Sequence, residues 1–154
     1  MFMKRKPLSK KEIKALNLDL VKFGLELNKK DRIDLIDDKY YYFNDDIAFL
    51  ILDGILVPSL KFILRNNVSM PEAIVDMGAV KFIVNGADVM RPGIQEFEGD
   101  FEKNDFVVIK DLNNKKALVL GKALLSKEEM LNQKDGKAFE NIHYIGDKIW
   151  NLEF

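Results

Sequence analysis

The sequence has 154 residues, 47% hydrophobic and 32% charged, which is the length of one domain or two small ones and a composition that excludes intrinsic disorder. Its 24 Lys+Arg against 25 Asp+Glu leave a formal net charge of -1, which excludes a chain coated throughout in positive charge. With no cysteine and one histidine, disulfides, thiolate metal sites and a cysteine nucleophile are excluded as well, and neither a metal nor any other cofactor is expected.

The chain opens Met1-Phe2-Met3 and runs on through Lys4, Arg5 and Lys6 with no apolar core of signal-peptide length, so a cytoplasmic protein is expected. The first 14 residues carry six basic side chains and one acid, Glu12, and read as a solvated, mobile end or as an arm that touches phosphate. Ser9 and Glu12 stand at capping-box spacing, which predicts a helix start. Ile13, Leu16, Leu20, Phe23 and Leu27 then recur every three or four residues as its core-facing stripe, and Gly24 is placed to end it. Residues 33–36, 40–43 and 47–52 predict strands parted by acidic turns, and Asp53-Gly54 predicts a tight turn. Pro58 and Ser59 predict the opening of a short helix over 60–64. The longest apolar stretch, residues 47–64, is broken by Asp53, Gly54, Pro58 and Lys61, so no membrane role is expected.

Asn66, Asn67, Ser69 and Pro71 mark a break, and seven of the nine glycines lie beyond it. A boundary at about residue 68 is expected, between a small α/β-type domain over 1–68 and a second domain over 69–154. Charge divides with it, since residues 1–65 sum to +3 and the rest to -4. The second part is predicted as strand 73–76, helix 79–85, strand 87–91, a loop, strand 106–110, an Asn113-Asn114 turn, strand 117–125, a short helix and a final strand 142–150. The short helix is announced by a second capping-box spacing, Ser126 and Glu129. The fold class is α+β, the second domain being a small, partly open β-barrel with two short helices.

Gly78 falls where a strand turns into a helix, so the first helical N–H groups there can face a phosphate. Asp76 competes for the same groups as a cap, and if it caps, the phosphate must lie beside the helix and not on its end. Lys81 and Asn85 share one helical face while Val80, Ile83 and Val84 turn inward. Gly86 suits a helix C-cap and Gly93, after Pro92, a turn; at Gly86-Ala87 and Pro92-Gly93 the missing bulk also lets a sugar-phosphate backbone come close. Arg91 offers a planar fork of donors and ranks with Lys81 as the leading contact. Lys122 and Lys148 are weaker candidates for a phosphate-tracking surface. His143, beside Tyr144, reads as a half-buried strand residue with one hydrogen bond, and Trp150 is expected to seal the barrel.

The run from Val75 to Ile94, with Val75-Asp76-Met77-Gly78-Ala79-Val80-Lys81-Phe82 at its head, resembles the signature of a PUA domain, the small pseudo-barrel of RNA-modifying enzymes and translation factors. Val57-Pro58-Ser59-Leu60-Lys61-Phe62-Ile63-Leu64 upstream and Gly136 to Trp150 downstream are similar to the helix before and the strand closing that domain in the malignant-T-cell-amplified-sequence and ligatin branch, here as an archaeal-type stand-alone version. The resemblance implies a non-enzymatic RNA-binding protein, a translation-associated factor that contacts ribosomal or transfer RNA and the small ribosomal subunit in initiation or recycling, with a translation-factor partner. The alternative it leaves open is an RNA-targeting accessory subunit of an enzyme that modifies tRNA or rRNA. His143-Tyr144 matches a recurring His-Tyr pair of the family, which implies a structural or RNA-edge role for His143 and not catalysis. Two departures lower the positive charge of the site: Met77 stands where many relatives carry lysine, and Asp88 where asparagine is common. An enzyme is not expected from four serines, one histidine and no threonine, with neither a Gly-x-Ser-x-Gly nor a phosphate-loop motif.

Overall fold

The structure, a computed structural model, describes residues 4–154, so the Met1-Phe2-Met3 start lies outside the described residues. The chain divides into two compact units that part between Ser69 and Met70. No helix among the described residues is long and apolar enough to cross a membrane.

The first unit is an antiparallel sheet of β1 (Arg5–Pro7), β2 (Asp34–Ile36), β3 (Tyr40–Phe43), β4 (Asp46–Leu52) and β5 (Ile55–Pro58) in that spatial order. The basic start is therefore no loose tail: β1 pairs along β2, and Arg5 Nε donates to Asp34 Oδ2 at 2.8 Å. Helix α1 (Lys10–Leu20) begins on a complete capping box, in which Ser9 and Glu12 each accept the other's backbone N–H at 3.1 Å. It buries Ile13, Leu16 and Leu20, and Gly24, in the left-handed region at φ 70°, terminates the 3-10 turn that follows. Asp53 and Gly54 at φ 51° and 75° make the tight turn between β4 and β5, a mirror-image turn whose twist suits a hairpin. Strand β5 itself was not expected, because Pro58 reads as a first helical residue. Pro58 instead ends β5 opposite Phe49, and helix α2 (Leu60–Arg65) starts two residues later. Ser59 separates the two: its Oγ accepts from Phe62 N at 3.1 Å and donates to Ile47 O at 2.7 Å, so one hydroxyl caps the helix and ties it to β4.

The second unit runs β6 (Glu72–Val75), α3 (Met77–Ile83), β7 (Val89–Met90), a 3-10 turn (Arg91–Gly93), β8 (Ile94–Glu98), β9 (Phe106–Asp111), β10 (Ala117–Ala123), α4 (Lys127–Leu131) and β11 (Lys137–Tyr144). The sheet order is β7-β11-β10-β9-β6-β8, with β6 and β9 parallel and every other pair antiparallel. The two outermost strands, β7 and β8, are thus consecutive in the chain and joined by only Arg91, Pro92 and Gly93, which curls the sheet into a pseudo-barrel. Val75, Val107, Ile109, Val119 and Phe139 fill its interior, with the Phe101 ring 5.6 Å from that of Phe139. Gly121 makes room for this packing, since a Cβ there would come within 3.0 Å of the Phe139 Cβ.

Two expectations for this unit change. The loop foreseen after residue 91 contains β8, whose Gln95, Glu96 and Glu98 face solvent and hide the strand period. The last strand spans residues 137–144 and not 142–150. Asp147 stops it by accepting the Tyr144 and Trp150 N–H groups at 2.9 and 2.8 Å, so Trp150 sits half-buried in a turn beyond the strand.

Candidate nucleic-acid interface

The candidate residues centre on α3 and on the two connections that press against it. Asp76 caps the helix, its Oδ1 accepting from Ala79 N at 2.9 Å, so the helix end already holds a carboxylate. The side of the helix is therefore what remains open to an anion. That side is built by period: Gly78 and Phe82, and likewise Met77, Lys81 and Asn85, are four residues apart, while Ile83 is buried and Val80 and Val84 pack on the barrel core. Phe82 is 59% exposed, unusual for so large an apolar ring, and Lys81 Nζ lies 5.1 Å from its centroid. A cation and an aromatic face are thus displayed together. Phe82 was absent from the sequence-derived candidates, although its spacing from Gly78 places it on the same outward face.

Asn85 does not point away from the helix. Its Nδ2 donates to Lys81 O at 2.7 Å, closing the last turn. Gly86 follows at φ 97°, and a Cβ there would come 3.2 Å from the Tyr144 ring, so this glycine is required both by conformation and by close approach. Ala87 is exposed and its carbonyl accepts from Asn141 Nδ2 at 3.0 Å; the same amide donates to Ile83 O at 2.9 Å. Asn141, a second residue missed from sequence, hence pins the α3–β7 connection to β11. Asp88 completes the tie by accepting Asn141 N at 2.9 Å and pairing with Lys137 at 3.0 Å. Burial pushes the Asp88 carboxyl up, but the Asn141 N–H and the Lys137 ammonium outweigh it and hold the group below its ordinary range. Its negative charge is thereby matched locally.

The β7–β8 link presses on the other end of the helix. Asp76 N donates to Gly93 O at 2.9 Å, and Pro92 is exposed beside it. Arg91 has its fork turned to structural work: Nε donates to Met130 O at 2.7 Å, Nη1 to Ile94 O at 3.1 Å, and the guanidinium lies 5.3 Å from the Phe97 ring centroid. It clamps the link to α4 and β8. Gly78, Lys81, Asn85, Gly86, Ala87, Pro92 and Gly93 are therefore gathered around one helix, with Arg91 behind them.

The other candidates lie elsewhere. Lys122, half-buried on β10, has Glu140 as its cross-strand neighbour, and Lys148 is exposed in the turn after β11. His143 is 1% exposed, with Nδ1 2.9 Å from Asp147 Oδ2, so its contacts are those of a structural residue. Three of the four serines, Ser9, Ser59 and Ser126, cap helices with their hydroxyls.

Comparison with known proteins identifies the surroundings of this surface. Residues 71–145 match the model of the PUA domain family. The chain is 37% identical over 97% of its length to the protein MJ1432 of Methanocaldococcus jannaschii, covering 97% of that protein. It is 35% identical over 80% of its length to translation machinery-associated protein 20 of Saccharomyces cerevisiae, covering 74% of it. Among solved structures, a hypothetical protein, PH0734.1, of Pyrococcus horikoshii superposes with a TM-score of 0.80 at 32% identity over 96% of this chain and 98% of that one.

Proposed function

The chain belongs to the family of PUA-domain proteins that includes translation machinery-associated protein 20, and from that premise we propose that it is a non-enzymatic, cytoplasmic RNA-binding protein that acts in translation, on the small ribosomal subunit or on transfer RNA. The observation that carries this reading is the exposed pair on α3: a lysine to meet phosphate and, next to it, a phenylalanine on which an unstacked base can lie. Because Asp76 occupies the helix end, the strand passes along the helix flank. Gly78 at one end and Gly86-Ala87 at the other allow it to approach closely, and Pro92-Gly93 form the rim. Arg91 holds that rim in place from behind.

With one lysine at its centre in place of a basic field, the site suits single-stranded or looped RNA held partly by stacking. Its affinity then depends on presentation by a larger assembly such as the ribosome. The test is binding of the intact protein to purified small ribosomal subunits and to transfer RNA between about 50 and 200 mM salt, beside Lys81→Ala and Phe82→Ala. Binding by the wild-type protein that both variants weaken is expected. Binding no stronger than that of an unrelated acidic protein overturns the reading, and co-purification with an RNA-modifying enzyme without ribosomes points to the accessory-subunit alternative.

A further inference from the structure

A second constellation lies wholly within the first unit, where the sequence match to the PUA family does not reach. A pocket of about 160 Å³ opens between the β3–β4 turn and α2, lined by Phe43, Asn44, Asp46, Lys61, Phe62 and Arg65 among others. A cavity of roughly 150 Å³ is known to take up benzene, so this one has the capacity for a single planar ring.

Its chemistry is specific. Asp46 is shared by two cations, with Lys61 Nζ at 3.5 Å and Arg65 Nη1 at 3.4 Å, so the pocket keeps one net positive charge. Both distances are long for a charge-assisted contact, and Arg65 is 63% exposed. An ion pair of that kind contributes little and gives way readily to a phosphate, whose oxygens match the guanidinium fork at shorter range. Asn44 stands on the turn at φ 54°, and its amide has no hydrogen-bond partner among the described residues. An amide sets a donor beside an acceptor, the complement of a pyrimidine's pairing edge. Phe62, fixed by the Phe49 ring at 4.9 Å, and Phe43 supply the apolar walls.

We infer that this pocket binds one pyrimidine nucleotide of single-stranded RNA, with the base between the β3–β4 turn and α2, its edge on Asn44, and the phosphate on Lys61 and Arg65. The inference rests on the RNA-binding reading above for the polymer alone; size and chemistry of the pocket stand apart from it.

The test follows amide chemical shifts of the isotope-labelled full chain during titration with uridine monophosphate and, separately, with inorganic phosphate. Uridine monophosphate is expected to move Asn44, Ile47 and Phe62, phosphate alone to move only the residues about Arg65, and Arg65→Glu to weaken the nucleotide about tenfold or more while the remaining spectrum is kept. Lys81→Glu, on α3, is expected to leave these shifts unchanged while it weakens binding of a single-stranded oligonucleotide. The inference is overturned if the nucleotide leaves Asn44 and Phe62 unmoved, if phosphate alone reproduces its shifts, or if Arg65→Glu binds it as well as wild type. Loss of oligonucleotide binding by the wild-type protein with the nucleotide shifts intact would sink the proposed function and leave the pocket standing.

Discussion

Gly93 lies close against Ala79: a Cβ built on Gly93 would stand 3.1 Å from the Ala79 Cβ, so the link between the outermost strands rests on the first turn of α3. A branched side chain cannot enter without moving the link or the helix. Gly93→Val is expected to lower stability by about 1–3 kcal/mol, read as a shift of the urea midpoint, and to weaken RNA binding beyond what the lost folded fraction accounts for.

Arg91 and Lys81 are expected to separate into different roles. Arg91→Lys keeps the charge but cannot serve Met130 O and Ile94 O from one planar group, so a loss of about 1–2 kcal/mol in urea denaturation is expected. Lys81→Ala, at an exposed position, is expected to change stability by less than about 0.5 kcal/mol. An Arg91→Lys protein of unchanged stability but reduced RNA affinity would assign Arg91 to the contact surface instead.

The exposed pair on α3 has two distinguishable signatures. Lys81→Ala is expected to reduce the slope of log affinity against log salt by about 0.7, the share of one phosphate contact on a single strand. Phe82→Ala is expected to cost about 1–3 kcal/mol of binding with the slope unchanged, since stacking releases no counterions. Affinity measured for both variants at several salt concentrations checks the pair of outcomes.

Acid tests the carboxylates that tie the barrel together. At Asp111 burial pushes the carboxyl up, but backbone N–H groups of Lys116, Asn114 and Asp111 itself outweigh it and hold it below the ordinary range, as at Asp88. A depressed folded pKa means stability that is fully present above the unfolded value near about 4 and is lost as pH falls through the folded value. The urea midpoint is therefore expected to stay level above about pH 5 and to drop below about pH 4. Asp111→Asn, which cannot ionise, is expected to be less stable at neutral pH and to show a shallower acid limb.

Much of this architecture is legible in residue order because it is written in local chemistry. Both capping boxes, the Asp53-Gly54 turn and the α1 stripe need only neighbours a few residues apart, and all four are present. β1 and β8 were missed for the opposite reason: each is held as a strand by partners 27 or more residues away or by a mostly solvated face, and neither leaves an apolar period. Arg91 shows the same limit within the site. Its side chain is donor-rich in any context, and only Met130, 39 residues on, reveals that the donors are engaged. Phe82 could have been found from its period, but an aromatic residue among apolar ones suggests a core position until the neighbouring helix faces are assigned.

The three-residue passage from β7 to β8 also bears on solubility. A strand at the end of a sheet carries a row of unsatisfied amides and carbonyls on which a foreign strand can polymerise. Here the two such rows belong to strands of two and five residues that are covalently held within a few residues of each other, so neither offers a long, accessible template. Cleavage between Arg91 and Gly93, or new chain termini placed there, would release both at once, and the expected product is a protein that self-associates while its core is still packed.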